Sequence, residues 1–167
     1  MLYVYRRLSD LNFGKLMDLY SEGNAENARE QYPDMDLNAR ISNVEQEFYQ
    51  YLLAVFFPTK GAFYAVWEES GMYLSALRME PYRDGLLLAA LETHPDYRNR
   101  GYAKMLISAV LTQLSQTGVP TVYAHVYKRN EPSLRTHLSC GFSRVSEQAT
   151  YIDGSVNPRY CTLLYKF

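Results

Sequence analysis

Cysteine is scarce in this chain of 167 residues: there are two, Cys140 and Cys161. That number excludes a disulfide framework and a cysteine-built zinc cluster, and no metal is expected. An excess of one charge is also missing, since 17 Lys and Arg stand against 18 Asp and Glu, for a formal net charge of −1. Broad non-specific nucleic-acid binding draws on a basic surface, so no nucleic-acid partner is expected. No apolar run approaches the roughly 20 residues of a membrane-spanning helix. The opening MLYVYRRLSD turns polar after a few residues, unlike a signal peptide. No membrane partner is therefore expected, and a reducing, cytoplasmic setting is the expectation. A GxxxxGK[ST] phosphate loop is absent, and the three-glycine dinucleotide fingerprint is poorly matched, with only Gly101 in place.

What is present is an ordinary globular balance, 47% hydrophobic and 21% charged, in a length suited to one domain over residues 1–167. Sixteen tyrosines and seven phenylalanines point to aromatic packing in the core and at its rim. LYVYRRL (Leu2 to Leu8) reads as a strand. Ser9 or Asp10 then caps a helix over Leu11 to Tyr20, closed near Gly23. The segment Glu22 to Asp36 carries five acidic residues (Glu22, Glu26, Glu30, Asp34 and Asp36) against Arg29. A second helix is expected from Ser42, with Glu45 completing a capping-box pattern, to about Phe56. Three apolar runs follow at 62–68, 72–80 and 86–92, separated by turn-like residues. A helix with an apolar stripe at Tyr102, Met105, Leu106, Ala109, Val110 and Leu114 comes next, then a strand at 121–127 and a short helix from Pro132 to Ser139. Two strands joined by a loop containing Asp153, Gly154, Asn157 and Pro158 complete the chain. The expected order is β-α-α-β-β-β-α-β-α-β-β, an α/β fold (α+β, with a mixed sheet).

The stretch HPDYRNRGYAKM breaks a local rule. Arginines in a helix's first turn oppose its macrodipole, and glycine there gains nothing from burial. An anion held by the free amides of residues 99 to 104 would compensate: Gly101 lets the backbone approach, while Arg98 or Arg100 neutralises charge. Lys104, Lys128 and Arg129 are further cations that could serve such an anion, the alternative for Lys128 and Arg129 being a solvated strand end.

RNRGYA (Arg98 to Ala103) resembles the [QR]-x-x-G-x-[GA] loop of the GNAT superfamily of acyl-CoA-dependent N-acyltransferases. NEPSLRTHLSCGF (Asn130 to Phe142) resembles that family's N-x-x-[AS]-x-x-x-Y-x-x-x-G-F segment, with Asn130, Ser133, Gly141 and Phe142 in place. The resemblance implies a GNAT-like fold in which parallel strands 86–92 and 121–127 splay apart. It implies acetyl-CoA as donor, its pyrophosphate on the amides of Arg98, Asn99, Arg100, Gly101, Tyr102, Ala103 and Lys104. The pantetheine would lie against Leu91 and Glu92, with Asn130 supporting it. Asn130 also reads as a helix N-cap, and the two roles coexist. The implied reaction is direct attack of a primary amine on the thioester, the amine belonging to a small molecule or a protein. Dimers are common in the family, so a second copy of the chain is a candidate partner.

Three side chains are candidates for proton transfer. His137 stands where many members place a tyrosine that protonates the departing thiolate, and imidazole can take that role. The alternative is a packed helix histidine. His125 lies five positions before Asn130, where some members carry a general-base glutamate; Tyr123, His125 and Tyr127 share the more polar face of their strand. The alternative is a hydrogen-bonded sheet histidine. Glu92, a carboxylate at a strand's carboxyl end, is the rival base. Cys140 is excluded as nucleophile, because direct transfer needs no acyl-enzyme. Competing with catalysis are a non-catalytic coenzyme A-binding sensor of the same fold and a nucleotide-binding regulatory domain. The acidic stretch 22–36 would attract a cationic acceptor or simply be a solvated face; the acceptor stays open.

Overall fold

Near-continuous apolar runs give each central strand two faces to bury, and those two faces set the architecture. The structure is a computed structural model describing all 167 residues. Strands β1 (Leu2–Tyr5), β2 (Phe63–Glu69), β3 (Met72–Tyr82), β4 (Gly85–Thr93), β5 (Thr121–Tyr127), β6 (Ser143–Ser146) and β9 (Tyr160–Lys166) form one sheet in the order β1-β2-β3-β4-β5-β9-β6. Only β4 and β5 run parallel. A small hairpin, β7 (Ala149–Thr150) and β8 (Val156–Asn157), stands apart.

The helices are α1 (Phe13–Leu19), α2 (Ser21–Gln31), α3 (Leu37–Tyr51), α4 (Tyr102–Leu114) and α5 (Glu131–Ser139). One sheet face, with Phe63, Ala65, Leu77, Met79, Leu86, Leu88, Val122, Ala124 and Val126, packs on α4. The other, with Tyr64, Val66 and Ala76, packs on α1 and on Leu52 and Phe56 of the π-turn that ends α3. Full burial of each of the larger of these side chains contributes about 2 kcal/mol. The buried arc of α4 is Leu106, Ile107, Val110, Leu111 and Leu114, while Met105 is 41% exposed. The apolar stripe is therefore rotated from the expected one, because Ile107 and Leu111 face the sheet.

The N-terminal helices depart most from expectation. Asn12, not Ser9 or Asp10, caps α1 by accepting from the Lys15 amide at 3.1 Å. Gly23 lies inside α2 rather than closing a helix. The acidic stretch is thus a third helix, and only Asn24 and Ala28 of it are buried. Helix α3 begins at Leu37, capped by Asp36, whose carboxylate accepts from the Asn38 and Ala39 amides at 3.1 Å. Ser42 and Glu45 are interior to it, since Asp36 satisfies the orphan amides nearly two turns earlier.

The central feature is local to β4. Ala76 pairs with Glu92 and Arg78 with Ala89, so β4 spends three steps where β3 spends two. The extra residue is accommodated at Ala90, with φ +49°. A bulge raises local twist. Strand β4 pairs with β5 only at Leu86–Val122, Leu87–Tyr123 and Leu88–Ala124, and beyond that level the two strands diverge. No helix is long and apolar enough to cross a membrane.

Candidate functional site

The divergence of β4 from β5 opens a groove of about 450 Å³. Leu91, Glu92 and Thr93 of β4 form one side, the segment Arg98, Asn99 and Gly101 to Lys104 a second, and Asn130, Pro132, Ser133 and Thr136 of α5 a third. Residues far apart in sequence thus meet at one strand end, helix start and helix start.

The end of the groove at the start of α4 is built by backbone. Asn99 (φ +61°) and Gly101 (φ +83°) are both left-handed, which folds the chain sharply into α4. Gly101 occupies the N-cap and offers no side chain, and the first helical bond runs from the Met105 amide to the Gly101 carbonyl. The amides of Tyr102, Ala103 and Lys104 consequently have no intrahelical partner and aim at the groove with the positive end of the dipole. A Cβ at Gly101 would meet nothing within 4 Å, so the backbone angle alone demands glycine there.

The arginines behave differently from expectation. Arg98 reaches the groove, but its guanidinium bonds Glu22 of α2 and, at 3.2 Å, Glu92. Its charge is already matched, so it straps α2 to β4 rather than standing free for a phosphate. Arg100 does not line the groove: it stacks on the Tyr97 ring at 4.9 Å and donates to the Asp96 carbonyl. Lys104 lines the groove with no ion pair, while Lys128 is drawn to Glu147 at 3.5 Å. Asn130 caps α5, as expected, by accepting from the Ser133 amide at 3.1 Å, and it also lines the groove. Glu92 is paired as described, and its carbonyl accepts from Ser75 Oγ at 2.7 Å.

His137 lies outside the groove lining, 2% exposed and edge-on to Phe142. Its Nδ1 sits 2.8 Å from the Ser133 carbonyl, which can only accept, so Nδ1 carries the proton. Nε2 is then bare, buried and without a partner. Burial pushes the pKa below 6.5, partly countered by the Ser133 carbonyl. A neutral ring with a bare Nε2 has no proton to offer a thiolate. That depressed pKa also sets a stability trend. The unfolded chain binds a proton near pH 6.5 and the folded chain only at lower pH, so stability is complete above that value and lost on acidification. The melting temperature should fall between pH 7 and pH 5, and fall less in His137→Phe; scanning calorimetry at both pH values checks this.

His125 faces away from α4, half-buried between the rings of Tyr82 and Tyr151 at 5.4 and 5.5 Å. Its Nε2 also has no partner, and burial, with Arg83 adding repulsion, lowers its pKa. The hairpin holds that wall, because Tyr82 donates its hydroxyl hydrogen to the Thr150 carbonyl. Across the same sheet face, Tyr20 bonds the Tyr64 hydroxyl at 3.0 Å and donates to the bulge carbonyl of Ala90 at 2.8 Å. Burial pushes the Tyr20 hydroxyl up to about 12, so it keeps its proton. Arg78, on β3, belongs to neither sequence motif. The signal for it is a cation in the middle of the apolar run MYLSALRME.

The family model described as acetyltransferase (GNAT) family matches residues 23–142, well over half of the chain. Over 85 residues the chain is 29% identical to the [ribosomal protein bS18]-alanine N-acetyltransferase of Haemophilus ducreyi, a match covering 49% of this chain and 59% of that relative. The chain thus matches less than two thirds of that protein's length. Among solved structures, PaiA N-acetyltransferase from Thermoplasma acidophilum, in complex with coenzyme A, superposes with TM-score 0.66 at 12% identity, over 100% and 99% of the two chains. Aminoglycoside 6'-acetyltransferase type Ii gives 0.64 at 13%, over 99% and 96%. The Escherichia coli ribosomal-protein-S18-alanine N-acetyltransferase gives 0.61 at 15%, over 99% and 94%. At those identities the superpositions speak for the fold, and the family match for descent: the chain belongs to the GNAT family of acetyltransferases.

Proposed function

We propose that this chain, as one domain over residues 1–167, moves an acetyl group from acetyl-CoA to a primary amine by direct attack. The observation that carries the reading is the row of unbonded amides at Tyr102, Ala103 and Lys104 behind left-handed Gly101, at the mouth of the β4–β5 split. Those amides hold the pyrophosphate, Lys104 adds charge, and Leu91, Glu92 and Asn130 line the path of the pantetheine toward the other sheet face. There the amine nitrogen bonds to the acetyl carbon and the carbon–sulfur bond breaks. His125, neutral and with Nε2 unpartnered, takes the proton that the ammonium must lose; the nitrogen gives up its second proton to solvent as the amide forms, and the thiolate leaves to be protonated from solvent. His137 serves packing rather than acid catalysis, and Glu92, held by Arg98, is the weaker candidate base.

Calorimetric titration tests the donor site. Coenzyme A should bind more tightly than ATP or NAD, and Gly101→Val should weaken it roughly 5- to 30-fold. That range follows from a left-handed penalty of about 1–2 kcal/mol for a residue with a Cβ. Tighter binding of ATP or NAD would overturn the reading. Tight coenzyme A binding with no acetyl-CoA consumed across an amine panel would leave the sensor reading instead.

A further inference from the structure

The face of the sheet opposite α4 is covered on two sides and open between them. Helix α1 and the end of α3 roof β2 and β3, the β7–β8 hairpin roofs β5, and Ala89 stays half-exposed and Ala90 exposed in the gap. Register places three residues in one row across that gap. Arg78 of β3 pairs with Ala89 of β4, and Ala89 is one step beyond the last β4–β5 pair, Leu88–Ala124, at the level of His125. Leu77, Met79, Leu88, Ala124 and Val126 face α4, so alternation turns Arg78, Ala89 and His125 to the open side. The row crosses the very point at which the strands part.

Both ends of the row carry unfinished chemistry. Arg78 makes no ion pair and no side-chain hydrogen bond, and its Nε is buried without a partner, as is His125 Nε2. The guanidinium is steadied only by ring faces, at 5.1 Å over Tyr51, 5.6 Å over Phe56 and 5.9 Å over Phe48. Glu80, two residues along on the same face, does not pair with it. Rings orient a guanidinium but accept none of its hydrogen bonds in plane, and a buried unbonded donor is costly. The fork it presents matches a carboxylate, to which arginine donates two parallel bonds.

We propose that Arg78 binds the carboxylate of the acceptor, and that the substrates are small amino carboxylates whose amine is presented beside His125. This rests on the acetyl transfer described above and names its acceptor class. Two strand spacings would be roughly 10 Å, and the parting of β4 from β5 sets the backbones of Arg78 and His125 at least that far apart, so several bonds lie between the acceptor's amine and its carboxylate. The aromatic roof over Arg78 favours a small molecule over a folded protein's chain end.

The test measures free-thiol release from acetyl-CoA with the full chain. Acceptors are glycine, β-alanine, 4-aminobutyrate, 5-aminopentanoate and lysine, each beside its matched amine lacking the carboxylate, plus a C-terminally amidated peptide beginning with alanine. The expected result is a preference for carboxylates over matched amines that grows with chain length. Arg78→Met, which keeps apolar contact with the rings, should raise KM for the carboxylates roughly 10- to 100-fold, as loss of a charged hydrogen-bond pair implies. Coenzyme A affinity and the KM for matched amines should stay unchanged, and Arg78→Lys should recover part of the loss. Equal use of carboxylates and matched amines, or an amidated peptide preferred and insensitive to Arg78→Met, overturns the assignment while acetyl transfer stands. Failure of every amine to consume acetyl-CoA overturns the transfer reading itself.

Discussion

Replacing His125 by glutamine should lower kcat by about two to four orders of magnitude while leaving coenzyme A affinity intact, the span general-base catalysis contributes. Glutamine keeps the size and polarity of the side chain between Tyr82 and Tyr151 but cannot accept a proton. The pH profile gives the discriminating signature. In the native chain, rate should drop on the acid side as the imidazole protonates, at a pH below 6.5 because burial and Arg83 depress its pKa. In His125→Gln that limb should vanish, leaving only the titration of the acceptor amine. A rate within about threefold of native and an unaltered acid limb would remove His125 as base and return the role to Glu92, tested by Glu92→Gln. That second variant also frees one side of Arg98, so its effect on coenzyme A binding must be measured in parallel.

Gly85→Ala should be the most damaging of the single methyl additions. A Cβ at Gly85 would stand 2.1 Å from the Thr121 carbonyl oxygen, 2.4 Å from Thr121 Oγ1 and 2.9 Å from the carbonyl carbon. Two of those atoms are backbone of β5, so no rotamer change relieves the contact. Strands β4 and β5 share only three residue pairs, starting at the very next position, Leu86–Val122. Pushing them apart here loosens the joint from which the split is measured. Overpacking of this kind costs about 3 kcal/mol, which for a chain of this size lowers Tm by roughly 6–12 °C. Thermal melts check this, and acetyl-CoA affinity should weaken in step. A Tm within about 2 °C of native would show that Thr121 yields, and that the start of β5 is softer than its burial implies.

The readable parts of the sequence were those governed by near neighbours. Strands β2 to β5 announce themselves by apolar runs between turn residues, and Asn130 by its place before a short helix. The unreadable parts lacked a local signal. Helix α2 is polar on nearly every side and contains Gly23, so nothing in its pattern marks a helix; packing against α3 supports it. Arg98 and Arg100 look equivalent in RNRG, yet one meets Glu22 and Glu92 while the other turns to Tyr97, because only the folded chain brings α2 to that loop. His137 occupies the family's tyrosine position, but whether an imidazole there donates or accepts depends on a carbonyl one turn back and on burial.

By itself the sequence determined the glycine-led helix start, since glycine's tolerance of a left-handed angle and the free amides after it are properties of a few consecutive residues. It also determined the two-faced strands, since alternation needs no partner. Tertiary structure alone decided the bulge at Ala90, the parting of β4 from β5 and the alignment of Arg78, Ala89 and His125 across it. Register and desolvation arise between residues tens of positions apart, and a linear pattern holds no record of which of them will share a row.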